Sequence, residues 1–302
     1  MKLFKNNKIS FLRILARFLV KKDPYVWHKL YFYYCRLKYL YYSINSKKSN
    51  SSIKLKKEKH LILKNLIPKN DLIILQDAYK IKSKNSTKHI IIKKKEKLNK
   101  QNKKYVYLYD VFEEYSNQVK FLHLDDECVD HMITIYNKYM KETVEEYFLC
   151  PSTVEDMWIY KSSTEILESK NNYNYRWHYD GYPDTMLKII FYISDVDNKN
   201  GPFAIMKNSY ANSNYDTKIK DSQNNYDDFT KNFNLNDQFE IVGKSGTTIF
   251  FNSALLLHRV SEIKEGERLV GSFSIRPNNT NNIKYDNNKP INAVYSKNPF
   301  LA

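Results

Sequence analysis

The chain has 302 residues, with 49 Lys+Arg against 33 Asp+Glu and a formal net charge of +16. Its 42% apolar and 15% aromatic content is enough for a core, which excludes global disorder, a collagen-like repeat and a disulfide scaffold. The charge is split: residues 1–104 hold 29 basic and 5 acidic side chains, net +24, whereas 105–302 hold 20 and 28, net −8. All six glycines lie in the acidic half. Three cysteines, Cys35, Cys128 and Cys150, without C-x-x-C spacing, point to a reducing, cytoplasmic compartment rather than to a disulfide or structural zinc framework. No stretch has the roughly 18–20 uncharged apolar residues of a membrane span. Ile9–Val20 comes nearest and is interrupted by Arg13 and Arg17.

Residues 9–44 read as helical with one break at Asp23-Pro24, where Asp23 suits an N-cap and Pro24 the first helical position. Beyond it, Trp27, Leu30, Tyr31, Tyr34, Leu37, Lys38 and Tyr41 recur at helical spacing. Two readings stand for this basic, aromatic segment. One is a helix pair packed on the main domain. The other is peripheral contact with an anionic membrane through residues 1–44, with Lys and Arg at lipid phosphates and aromatics at the interface. Residues 46–57, rich in Ser, Lys and Asn, read as a linker, and 60–67 and 71–76 as short apolar runs, strand or helix. His89–Ile92 reads as a strand leading into a basic loop, Lys93–Lys104. That loop lacks the arginines and aromatics a nucleic-acid surface interleaves with its charge, so it reads as a solvated face. Residues 126–148 form the clearest helix, with Val129, Met132, Ile133, Tyr136, Met140, Val144 and Tyr147 on one stripe.

From Asp156 the period changes to two. Met157–Tyr160, Arg176–Asp180, Met186–Ser194, Pro202–Met206, Gly246–Asn252, Leu255–Val260 and Arg268–Arg276 read as seven short strands separated by Gly, Pro, Asn and Asp turns. Such a series predicts a mainly β core, sandwich or barrel, in an α+β chain. An Asn- and Asp-rich insert, 208–237, interrupts it. The expected organisation is a basic helical extension and linker over 1–57 and a catalytic domain over 58–302, with its β core at about 150–277.

The chemistry sits in the acidic half. His178 and Asp180 are two apart, and on a strand residues i and i+2 point to the same face. A second imidazole, His258, from a distant strand would complete a two-His, one-carboxylate set. Such a set leaves adjacent coordination positions open for a bidentate cosubstrate and O2, as in non-haem Fe(II) oxygenases. Arg268, ten residues past His258 and across a Lys264-Glu-Gly266 turn, can reach back and offer a carboxylate a bidentate fork. Arg276 shares its strand parity and is the rival clamp. Trp177 reads as packing beside the ligands.

The phrase Trp177-His-Tyr-Asp180, the strand Lys188 to Asp197, Asn200-Gly201-Pro202, Phe250-Phe251 with His258, and then Arg268 resemble, in that order, the phytanoyl-CoA dioxygenase-like branch of the Fe(II)/2-oxoglutarate-dependent oxygenases. The resemblance covers roughly residues 145–277. It implies a double-stranded β-helix (jelly-roll, cupin-like) with Fe(II) at the mouth of the barrel. His178, Asp180 and His258 would be the metal ligands and catalytic centre, and Arg268 would hold 2-oxoglutarate. Lys188 and Tyr192 are weaker candidates for cosubstrate contacts. Two positions depart from the pattern. A Pro-Gly-Ser-His loop reads Lys207-Asn-Ser-Tyr210, and the small hydroxyl residue two after the distal histidine is Val260, leaving Ser272 or Tyr192 to supply the missing donor. The resulting expectation is a hydroxylase that takes Fe(II), 2-oxoglutarate and O2 and acts on a small-molecule, lipid or sugar-type substrate. Its rivals are a catalytically inactive jelly-roll binding or scaffold protein, motivated by the two departures, and a nucleic-acid-directed oxygenase. The basic first third motivates the last, and the acidic barrel half speaks against it.

Overall fold

A computed structural model describes residues 26–40, 49–85, 119–121, 126–164, 177–180, 183–207, 209 and 234–278. The expected helix before Asp23, the His89–Ile92 strand with its basic loop, and most of insert 208–237 lie outside the described residues.

Five helices precede or flank two antiparallel sheets among the described residues. They are α1 (Val26–Lys38), α2 (Asn50–Glu58), α3 (Lys69–Asn85), α4 (Asp126–Tyr139) and α5 (Lys141–Phe148). The strands are β1 (His60–Leu63), β2 (Val119–Phe121), β3 (Ser152–Ser163), β4 (Leu187–Tyr192), β5 (Phe203–Met206), β6 (Gln238–Ile241), β7 (Thr248–Phe251), β8 (His258–Val260) and β9 (Glu267–Pro277). The larger sheet runs β1-β7-β4-β9-β3-β2 and the smaller β6-β5-β8. Every pairing is antiparallel.

Alternation along β9 shows how the sheet divides its two faces. Leu269, Phe273 and Ile275 join Ile189, Phe191 and Ile159 in a core shared with α4 and α5. Val270 faces the other way, with Ile190, Tyr192, Ile249 and Phe251. These meet Phe203, Ile205 and Ile241 of the smaller sheet, so the second core is the inside of a barrel. The Phe203 and Phe251 rings, one from each sheet, lie 4.8 Å apart. Two sheets closed on a shared interior make a double-stranded β-helix, the expected jelly-roll. On the helix side, Gly271 gives room to the ring of Phe191 opposite it; a Cβ there would stand 2.0 Å from Phe191 Cζ.

Each of the seven expected strand regions carries a strand or, at His178, an isolated bridge. Of the two apolar runs left open between strand and helix, 60–67 carries β1 and 71–76 lies in α3, whereas the short strands β2 and β6 were not anticipated. The stretch read as a linker is instead largely α2. Its Ser and Lys content concealed a capped helix: Ser49 accepts from the Ser52 amide, its own amide donates to Glu146 of α5, and Leu55 is fully buried. The single helix expected over 126–148 is two, with Met140 leaving helical geometry at φ −122°. The amide of Met140 still donates to Tyr136 and that of Val144 to Met140, and along the expected stripe Val129, Met132, Tyr136, Met140 and Val144 are buried while Ile133 and Tyr147 are half-buried.

Candidate metal centre

His178 sits on an extended segment beside β8. Its amide donates to the His258 carbonyl (3.0 Å) and the His258 amide donates back (3.1 Å). This main-chain exchange sets the two rings 4.4 Å apart, centroid to centroid. The amide of Asp180 donates to the Ser253 carbonyl at 2.9 Å, which pins the next arm of the same segment to the loop before β8. One carboxylate oxygen, Asp180 Oδ1, then lies 3.7 Å from His178 Nε2 and 3.6 Å from His258 Nε2. The three ligand atoms fall within 4.8 Å of one another, the only group of three or more such side chains among the described residues that could hold a metal ion. The i, i+2 reading of His178 and Asp180 and the contribution of His258 are therefore brought together in space. His258 Nδ1 lies 2.9 Å from the Leu256 carbonyl. With its Nδ1–H donated there, Nε2 presents a lone pair to the cluster.

The outer oxygen, Asp180 Oδ2, is bonded by Lys188 Nζ at 2.9 Å. Burial would raise the pKa of Asp180, but the Lys188 ammonium and then the two imidazoles outweigh it and hold the carboxyl well below its ordinary range. Burial works against the Lys188 ammonium too, and the charge and hydrogen bond of Asp180 overcome it, so that its pKa is raised. Lys188, singled out for a cosubstrate contact, thus bonds a ligand side chain and leaves Asp180 a single inward oxygen. Asp156 on β3 faces the same row through Ser274 of β9, and burial raises its pKa.

Arg268 is 2% exposed at the start of β9. Its Nη1 donates to the carbonyl of Gly201, and its buried Nε has no partner among the described residues. Gly201 holds φ +77°, and a Cβ there would meet Ile263 at 2.6 Å and the Ser261 carbonyl at 2.9 Å. The turn that receives Arg268 thus requires glycine. The rival Arg276 is committed elsewhere: its Nε bonds Glu155 and it reaches Tyr31 of α1. The Tyr192 hydroxyl is likewise engaged, donating to the Ile241 carbonyl (2.6 Å) and accepting from the Phe203 amide (3.1 Å), and burial pushes its pKa up to about 12. Of the two donors considered in place of a hydroxyl at Val260, this leaves Ser272, buried on the barrel-facing row of β9. Trp177 is packed as expected, beneath the Arg259 guanidinium at 4.8 Å.

One residue was missed. Ser209, in the altered Lys207–Tyr210 loop, accepts from the Leu257 amide through Oγ (2.8 Å), while its carbonyl accepts from the Tyr179 hydroxyl (2.7 Å). Leu257 adjoins His258, and Tyr179 lies between His178 and Asp180, so one residue braces both arms of the site, one through its side chain and the other through its main chain. The signal was present: serine is the one residue of the Pro-Gly-Ser-His pattern that this loop keeps.

Fold and site together define a double-stranded β-helix carrying a two-histidine, one-carboxylate face. No protein-family model and no curated protein matches the sequence. Solved structures do share the fold. The non-haem α-ketoglutarate-dependent epimerase SnoN from nogalamycin biosynthesis is similar over 75% of this chain and 81% of its own, with 10% identity and a TM-score of 0.50. AviO1 from Streptomyces viridochromogenes Tue57 is similar over 76% of this chain and 95% of its own, with 8% identity and a TM-score of 0.51.

Proposed function

We propose that this protein is an Fe(II)- and 2-oxoglutarate-dependent dioxygenase that hydroxylates a small-molecule, lipid or sugar-type substrate. The observation that carries the reading is the convergence of His178, Asp180 and His258 ligand atoms within 4.8 Å. Two imidazoles and one carboxylate suit Fe(II) and leave adjacent positions open. When bound, iron and 2-oxoglutarate supply the oxidation: 2-oxoglutarate, O2 and R–H give succinate, CO2 and R–OH. The chain's own residues hold and orient. Leu256 and the His178–His258 backbone pair aim the imidazoles, and Lys188 restricts Asp180 to one inward oxygen. The unpartnered Nε edge of Arg268 is the donor left for the far carboxylate of the cosubstrate, with Ser272 beside it on β9. Phe203, Phe251 and Leu256 make the barrel interior apolar and exclude water. SnoN, named as α-ketoglutarate-dependent, supports the same cosubstrate here. The Trp177–Phe203 phrase supports the phytanoyl-CoA dioxygenase-like branch.

The competing reading, an inactive scaffold, rested on the Lys207–Tyr210 loop and Val260; the bracing by Ser209 weakens the first ground. Anaerobic titration decides between them. Fe(II) and 2-oxoglutarate are expected to bind together, and oxygen is then expected to release succinate. Both should be lost in His178→Ala and His258→Ala. Failure of the wild type to bind 2-oxoglutarate in the presence of Fe(II), or succinate release unchanged in both variants, overturns the proposal.

A further inference from the structure

Helix α1 carries two apolar faces, and packing against the described residues of the fold buries one. His28, Tyr31 and Cys35 are buried, and Phe32 meets Phe148 of α5 edge-on at 6.1 Å. Leu30, Tyr33, Tyr34 and Leu37 follow the i, i+3, i+4, i+7 spacing of a second stripe, centred on the opposite side at about 100° per residue. All four are exposed, Tyr33 at 58% and Leu37 at 70%, and Leu40 continues the stripe one turn on. Four large apolar side chains held in water on one helix face mark an interaction surface.

The flanks identify the partner. Arg36 lies along one side of the stripe and Lys38 along the other, α1 contains no acidic residue, and Lys29 on the Arg36 side is paired with Asp184 at 3.7 Å. We infer that this face of α1 docks on an anionic lipid bilayer, lying in the interface plane with Leu30 and Leu37 toward the acyl chains. Tyr33 and Tyr34 then sit at headgroup depth, where aromatic rings with a polar tip are favoured. Arg36 and Lys38 meet the lipid phosphates, and the net +24 of residues 1–104 adds long-range attraction. A second copy of the chain fits less well, since two such stripes packed together would bring their basic flanks into register. Nucleic acid also fits less well, because the centre of the stripe is aliphatic where a phosphate backbone calls for cations. The inference is independent of the proposed catalytic activity.

The test is flotation of the full chain with vesicles of phosphatidylcholine alone and of phosphatidylcholine containing phosphatidylserine. Binding is expected only to the anionic vesicles and should weaken as salt is raised. The double substitution Tyr33→Ser with Leu37→Ser, and separately Arg36→Glu with Lys38→Glu, should each lower the bound fraction at least tenfold while leaving the melting temperature within a few degrees. No flotation of the wild type with anionic vesicles overturns the inference, as would occur were the chain's own residues 1–25 to cover the stripe. So does flotation unchanged in both variants. A lipid-free dimer, or a complex with a duplex oligonucleotide, that forms in place of vesicle binding and is lost in the same variants assigns the face to that partner and overturns it as well.

Discussion

Arg268→Met separates a cosubstrate clamp from a structural cation. The guanidinium is 2% exposed and, among the described residues, bonds the Gly201 carbonyl, leaves Nε unpartnered and has no carboxylate bonded to it. In the protein without cosubstrate it is a buried charge that lacks compensation. Exchanging such a charge for an apolar side chain of similar length is neutral or stabilising, whereas breaking a real buried ion pair costs about 3–5 kcal/mol. Losing the Gly201 bond costs about 1–3 kcal/mol and is offset by relief of the desolvated charge. The melting temperature without 2-oxoglutarate should therefore stay within about 5 °C of wild type, at roughly 2–4 °C per kcal/mol. Cosubstrate binding behaves in the opposite way. Two charge-assisted hydrogen bonds at about 1.5–3 kcal/mol each amount to at least about 3 kcal/mol, or about 100-fold in affinity. Arg268→Lys keeps the charge but loses the fork and should fall between, about tenfold weaker. Thermal melts of the cosubstrate-free proteins and anaerobic calorimetric titration of the Fe(II)-loaded proteins with 2-oxoglutarate read the two quantities. A melting temperature more than 10 °C below wild type, or a 2-oxoglutarate affinity within threefold of it, would refute the reasoning.

Three further substitutions test the surroundings. Lys188→Met strips Asp180 of its 2.9 Å partner and should cost the metal-free protein about 3 kcal/mol. A divalent cation replaces the lost charge, so the metal-induced rise in melting temperature should exceed that of wild type; an equal rise would show that Lys188 does not hold Asp180. Ser209→Ala orphans the buried Leu257 amide and should weaken Fe(II) binding about tenfold by calorimetry, with Ser209→Thr restoring most of it. Lower stability with unchanged metal affinity would limit Ser209 to the fold. Gly271→Ala drives a Cβ into the Phe191 ring and should destabilise by about 1–3 kcal/mol in urea melts, partly recovered by Phe191→Leu in the same chain. Additive effects of the two changes would place the strain elsewhere.

The site could be read from the sequence because its parts obey local rules. His178 and Asp180 share a face through strand alternation, and Arg268 follows a hairpin turn at Gly266, which holds φ +71°. What spacing could not supply was the destination of a side chain. Arg268 and Arg276 have the same parity on β9, and only the β3 bulge at Val154/Asp156, which accompanies Glu155 meeting Arg276, separates their fates. Tyr192 shared the inward face with Lys188, yet its hydroxyl is consumed by β5 and β6, elements that meet it only when the barrel closes. Helix α2 was hidden for a different reason. Its first residues, Asn50, Ser51 and Ser52, have weak intrinsic preference for a helix, and a cap to Glu146, 97 residues away, together with the burial of Leu55, fixes it from outside.

The paired hydrogen bonds between His178 and His258 have a consequence for how this protein can diverge. They run between main-chain atoms, so ligand spacing is written in the backbone and is indifferent to the side chains around it. Substitutions such as Val260 and the rewritten turn at Lys207–Tyr210 can accumulate without moving the imidazoles, provided the brace at Ser209 persists. A chain built this way can change what enters the barrel mouth independently of what is held beneath it.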